Sequence, residues 1–190
     1  MKTYTLKERA EFYSKTFPNW PPLRADDRWL DGMWILGNDY RGSGYYGSYP
    51  PNYLKRVMSI FPDAENILHL FSGSLVDVKG KRLDLKEPAD YVGDAHNLSE
   101  IVTEKFDLIL ADPPYSAEDA EHYGTPMIRR GTVFKQCYSV LEVGGYIVWL
   151  DQVLPQFTKQ ELHLCGVIGI VRSTNHRFRV VSIFKKVGDL

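Results

Sequence analysis

The sequence predicts an open α/β sheet, and three observations carry that expectation. Short strand-like segments recur in the first two thirds of the chain: Asn66–Leu70, Arg82–Leu85, Ala89–Val92 and Phe106–Ala111. Each runs into a turn residue or an acid at its carboxyl end, the edge along which such sheets bind ligands. Farther on, Phe134, Cys137, Tyr138 and Leu141 recur at helical spacing before another apolar run, Tyr146–Leu150. At 190 residues, with 44% hydrophobic residues, the chain is long enough to bury a full core.

Taken in order, residues 1–44 form an aromatic-rich segment expected to pack onto the domain that follows, 45–190. Leu6–Phe17 reads as a short helix, broken at Trp20-Pro21-Pro22, and the rest reads as irregular, with Trp29, Trp34 and Tyr40 among glycines. Tyr46–Leu54 leads into a helix through Phe61, with proline in its first turn and Leu54, Val57, Met58 and Phe61 on one face. Between Gly73 and Arg82, and again at Lys86-Glu87-Pro88, the connections are too short for crossover helices. One sheet face is then left for the amino-terminal segment or a second subunit to cover. For the same reason the second strand is expected to be displaced. Ser116–Thr125 is acidic and polar, as in a lid. Gly144-Gly145 is expected to stop the helix before it. Thr158 and Glu161 have capping-box spacing and predict a short helix. Leu164–Val171 and Arg177–Phe184 read as paired strands around Ser173-Thr174-Asn175.

The most informative segment is Asp112-Pro113-Pro114-Tyr115, at the end of the strand Phe106–Ala111. The prolines stiffen the backbone and remove donors, leaving the Pro113 carbonyl as an outward acceptor. Asp112 adds a carboxylate acceptor, and Tyr115 a ring. Two acceptors and a π face suit an exocyclic amino group on a heteroaromatic ring. The same residues can also simply end a strand and turn the chain. Upstream, Phe71-Ser72-Gly73-Ser74 is a small-residue turn that lets backbone approach a ligand.

Together these motifs resemble the class I S-adenosylmethionine-dependent methyltransferases, in particular the amino-methyltransferases of adenine or cytosine. The resemblance spans about residues 45–186. It implies a Rossmann-like sheet, mostly parallel, with an antiparallel carboxyl-terminal strand. It also implies cofactor contacts from Phe71, Ser72, Gly73 and Ser74, and from Tyr49 and Pro50 at the methionine end. Asp84 is placed like the acid that holds the ribose, and Asp94-Ala95 like the adenine contact. Asp84 as a solvated loop charge and Asp94 as a helix cap remain open. Asp112, Pro113, Pro114 and Tyr115 match the family's catalytic motif. Asp112 and the Pro113 carbonyl would accept from the target amine, freeing its lone pair for in-line attack on the methyl group. A target in a duplex would have to flip out, with Tyr115 as its platform.

The expected substrate is therefore nucleic acid, DNA preferred and RNA possible, with adenine ahead of cytosine. A small-molecule amine, or a cofactor-binding subunit within a larger complex, is the alternative. A net charge of −1 does not favour a DNA binder. Local basic groups offer relief: Lys55 and Arg56, Arg129 and Arg130, and Arg172, His176, Arg177, Arg179, Lys185 and Lys186. Neither the stretch between Gly73 and Asp112 nor that after Leu141 is long enough for a target-recognition region, so specificity is short, comes from the amino terminus, or comes from a partner or second copy. Cys137 and Cys165 lie in apolar surroundings and read as reduced core residues of a cytoplasmic protein. No membrane span, signal peptide or metal-ligand spacing is visible. His69, alternating with apolar residues, is given no role.

Overall fold

The computed structural model describes residues 3–36, 49–86, 88–122, 124–172 and 178–188. Among them nine strands form one sheet, in the order β1-β2-β8-β9-β7-β6-β3-β4-β5. The strands are β1 (Arg24–Ala25), β2 (Leu30–Leu36), β3 (Ile67–Leu70), β4 (Lys81–Asp84), β5 (Tyr91–Val92), β6 (Phe106–Ala111), β7 (Leu141–Asp151), β8 (Leu162–Arg172) and β9 (Phe178–Lys186). From β5 through β3 and β6 to β7 all pairings are parallel, and β9 runs antiparallel between β7 and β8.

Residues alternate across the central strands, as the period of a strand requires. Leu108, Leu110, Tyr146, Val148 and Leu150 pack beneath α1 (Leu6–Thr16) and α2 (Tyr53–Ile60). Ile109, Ala111, Ile147 and Trp149 face α3 (Leu98–Ile101) and α5 (Arg130–Val140). The amino-terminal helix starts at a capping box between Thr5 and Glu8. It lies on α2 and on Trp34, whose ring stacks on Tyr13 at 5.8 Å.

Several local expectations are corrected. The segment read as irregular contains β2, which pairs in parallel with β8 from Leu30↔Gly166 to Leu36↔Arg172 and so extends the sheet. Tyr40 and residues 45–48 lie outside the described residues. The prolines at 50 and 51 precede α2 rather than sitting in its first turn. Its buried face is Tyr53, Arg56, Val57 and Ile60, with Leu54 and Met58 partly buried. Helix α5 ends at Val140, and Gly144-Gly145 lies inside β7. There the register slips, with Leu141 opposite Phe106 but Tyr146 opposite Leu108. A side chain on Gly145 would meet the Asp107 carbonyl at 2.9 Å, so the close approach of the bulge requires glycine. Thr158 and Glu161 form a turn closed by Glu161 N–H to Thr158 O at 3.0 Å, and β8 follows directly. The stretch read as a lid contains a short helix, α4 (Ala117–His122), with Ala120 buried.

The helix-free crossover from β3 does not displace β4, which pairs with it at Leu70↔Leu83. Gly80, at φ 110°, carries the return: a Cβ there would lie 2.6 Å from the Ile67 carbonyl. Buried His69 donates from Nε2 to the Lys79 carbonyl at 3.0 Å, tying the crossover to β3. Burial lowers the His69 pKa and so favours the neutral ring, although the bond to Lys79 works in the opposite direction. Among the described residues no helix is long and apolar enough to cross a membrane. Cys137 and Cys165 are buried and unbridged, their thiol pKa values raised by burial, that of Cys165 to about 12.

Candidate active site

Strand register sets the site. Leu70 pairs with Ala111, and Ala111 with Trp149, so β3, β6 and β7 end side by side. Asp112 follows Ala111 at that edge. The strand order reverses between β3 and β6, the crevice where open α/β sheets take their ligands.

The Tyr115 hydroxyl donates to Asp112 Oδ1. Beneath the loop, Arg130 Nη2 donates to the carbonyls of Tyr115 at 3.0 Å and Pro114 at 3.4 Å. The same guanidinium grips Asp151 in a fork, Nε to Oδ2 at 2.6 Å and Nη2 to Oδ1 at 3.1 Å. Asp151, 1% exposed, also accepts from Trp149 Nε1 at 3.1 Å and the Gln152 amide at 2.7 Å. Arg130 therefore bolts the loop to the end of β7 and is not a surface cation. Lys186 is likewise buried, donating to the Leu141 carbonyl at 3.1 Å.

Burial pushes the Asp112 pKa up to about 7. The Tyr115 hydrogen bond and the Arg179 charge oppose that rise, while Asp151 adds to it. Tyr49 and Tyr53 stack at 5.1 Å behind Asp112. Burial and the Asp112 charge hold both phenols well above their ordinary pKa, so they face the site as neutral hydroxyls. The Tyr53 hydroxyl is buried with no hydrogen-bond partner among the described residues. Arg179, from β9, stacks its guanidinium over the Tyr115 ring at 4.5 Å.

On the other side of the crevice, Phe71 (φ 59°) and Gly73 (φ 52°) turn the chain at the end of β3. Left-handed backbone at a non-glycine residue is uncommon and collects at ligand clamps. Asp84 Oδ2 accepts the Gly73 amide at 2.8 Å, so the turn and the acid after it are brought together directly. The Ser72 hydroxyl is buried without a partner among the described residues. Asp94 and Ala95 sit farther along the same edge, after β5. Asp94 caps the 3₁₀ turn Ala95–Asn97, accepting from the His96 amide at 2.9 Å and His96 Nδ1 at 2.6 Å. Pro50 is buried, and Tyr49 reaches the Leu110 carbonyl at 3.5 Å, a long contact beside Asp112.

The structure thus gathers Tyr49, Asp112, Tyr115 and the 71–74 turn with Asp84 around one crevice. Sequence reasoning missed Tyr53, Asp151 and the individual roles of Arg130 and Arg179. A strand-terminal acid like Asp151 was the available signal, but one shared with Asp84 and Asp112.

No protein-family model and no curated protein matches the chain. Among solved structures, TrmN from Thermus thermophilus is similar in fold, at 16% identity and TM-score 0.54, over 74% of this chain and 50% of that one. An rRNA methylase from Streptococcus thermophilus is 13% identical, at TM-score 0.41, over 65% of this chain and 89% of that one. The chain spans about half the length of TrmN. At such identities the likeness is one of architecture: a Rossmann-like, mostly parallel sheet, here extended at one edge by β2 and β1.

Proposed function

We propose that the chain transfers a methyl group from S-adenosylmethionine to an exocyclic amino group of a nucleic-acid base, with adenine N6 in DNA as the leading target. The observation that carries this reading is the position of Asp112–Tyr115, at the carboxyl end of β6 and across the crevice from the 71–74 turn. The crevice fits the cofactor chemically. It offers a left-handed turn with close backbone, a buried Ser72 hydroxyl lacking a partner among the described residues, and acids at the ends of β4 and β5. Phe71–Ser74, Asp84, Asp94, Ala95, Tyr49 and Pro50 are the residues we assign to hold it. When bound, the cofactor supplies an electrophilic methyl group on a sulfonium.

The chain's own residues prepare the amine. The Asp112 carboxylate and the Pro113 carbonyl accept its two N–H groups, which localises the nitrogen lone pair. The Tyr115 ring, braced through Arg130 and Asp151, holds the base plane in line for attack. Once alkylated, the nitrogen carries an extra proton, and Asp112, titrating near neutrality, can take it up. One further observation favours a second reading, a small-molecule amine: the net charge of −1 gives little general attraction for phosphates. A partner or second copy would supply specificity under the leading reading.

Labelled S-adenosylmethionine offered with duplex DNA, single-stranded DNA and RNA, followed by nucleoside mass spectrometry, tests the proposal. We expect methylated adenine, falling by roughly a hundredfold or more in Asp112→Ala. Cofactor binding with no label in any polymer would reject the nucleic-acid reading.

A further inference from the structure

We propose that Arg179 is a positioning residue of this site: from β9 it holds the plane of the Tyr115 ring and keeps a positive charge behind the Asp112 carboxylate. The inference rests on the reading of Asp112 as the amine acceptor. The sequence offers Arg179 only as one of several basic groups near the carboxyl end, and its strand partner Ile170 gives no hint of a site. The register nevertheless brings β9 against β7, with Val180 opposite Asp151, and so delivers Arg179 to the edge where Asp112 sits.

Its guanidinium lies 4.5 Å over the Tyr115 ring, the separation of a cation–π contact. Its Nε is buried and has no hydrogen-bond partner among the described residues. A buried donor left open is costly unless a ligand or a strong neighbouring contact compensates. The ring contact compensates in part. A cation on the ring also makes the Tyr115 hydroxyl a better donor to Asp112.

The groups facing Asp112 come from every element around it. Tyr115 follows β6, Tyr49 precedes α2 and Tyr53 opens it, Asp151 ends β7 with Arg130 of α5 paired to it, and Arg179 comes from β9. The charge of Asp151 is already held by Arg130. That leaves Arg179 as the cation acting on Asp112 directly, opposing the burial that favours its protonated form.

The test uses Arg179→Met and Arg179→Lys in the full chain, with two readouts. The first is the titration of the Asp112 carboxyl carbon by NMR on ¹³C-aspartate protein, assigned with Asp112→Asn. The second is the pH profile of methyl transfer. In Arg179→Met we expect the titration and the acid limb of kcat/KM to move up together by roughly 1 pH unit. We also expect kcat at neutral pH to fall on the order of tenfold, with the unfolding midpoint unchanged. Arg179→Lys should keep the titration but lose part of kcat, because a compact ammonium does not stack as a planar guanidinium does. A titration and kcat indistinguishable from the parent in both variants would overturn the inference. Should Arg179→Met fail to fold, Arg179→Lys still decides, since an unaltered kcat there rejects the positioning role. If the parent shows no methyl transfer, the proposed function fails separately, and the NMR shift alone judges the coupling.

Discussion

The two halves of the sheet, divided at β6, are built on different principles. On one side, β7, β8 and β9 run for 11, 11 and 9 residues, and β2 extends them by parallel pairing. On the other, β3 and β4 have 4 residues each and β5 has 2, and the described residues of the crossovers between them carry no helix. The long half is held by ladders and by large buried side chains such as Trp34, Trp149 and Phe184. The short half depends on single backbone contacts: Gly80 against Ile67, His69 on the Lys79 carbonyl, Asp84 on the Gly73 amide. Those contacts also shape the turn assigned to the cofactor. The difference teaches that the long half supplies stability and braces the Asp112–Tyr115 loop, whereas the short half spends its few contacts on the shape of the 71–74 turn.

The largest effect is expected where the long half braces the loop. Arg130→Met leaves Asp151, 1% exposed, without its charge partner. Breaking a buried pair from one side is strongly destabilising, and here the expected loss is about 3 kcal/mol. It should appear as a lower urea midpoint with the slope unchanged. Arg179→Met, by contrast, should leave that midpoint in place. If both variants unfold alike, the division between brace and site is wrong.

In the short half, Gly80→Ala places a methyl group 2.6 Å from the Ile67 carbonyl in a left-handed conformation. The expected cost is about 1–3 kcal/mol. Its signature should be local. Hydrogen exchange should quicken across residues 71–94 and cofactor affinity should drop, while protection in β7 and β9 holds. Uniform loss of protection in both halves would show that they unfold as one unit.

Much of this architecture was legible in the sequence, and the exceptions share a cause. Ile67–Leu70 and Phe106–Ala111 are buried on both faces, so their apolar runs announce central parallel strands. Asp112–Tyr115 is legible because its chemistry is local to four residues. β2 is not, because the outward-facing Met33 and Ile35 are apolar and Gly32 has no side chain, so its apolar residues do not alternate as its burial does. Gly144-Gly145 imitates a helix stop because a bulge needs the same backbone freedom. Arg179 acquires its place through pairing with β7 and β8, and a distant register leaves no mark on neighbouring residues.

The smallest effect tests the boundary between the halves, where Asp112 sits. Burial has raised its pKa to about 7 in the folded chain, against an unfolded value of 3.8. The folded state therefore binds the proton more tightly, and this contribution to stability is complete below the unfolded value. It declines as pH rises and is lost above the folded value, so at pH 8 the ionised carboxylate opposes folding. An Asp112→Asn variant removes the titration and keeps an acceptor for the Tyr115 hydroxyl. It should be more stable than the parent at pH 8, on the order of 1 kcal/mol once partial contact with solvent is allowed for, with the gap closing toward pH 5. Urea unfolding of both proteins at the two pH values measures it. A variant that is less stable than the parent at pH 8 would mean that the carboxylate stabilises the loop more than its burial costs. Asp112 would then belong with the braced half of the molecule and not with the half that gives up stability for the shape of its turns.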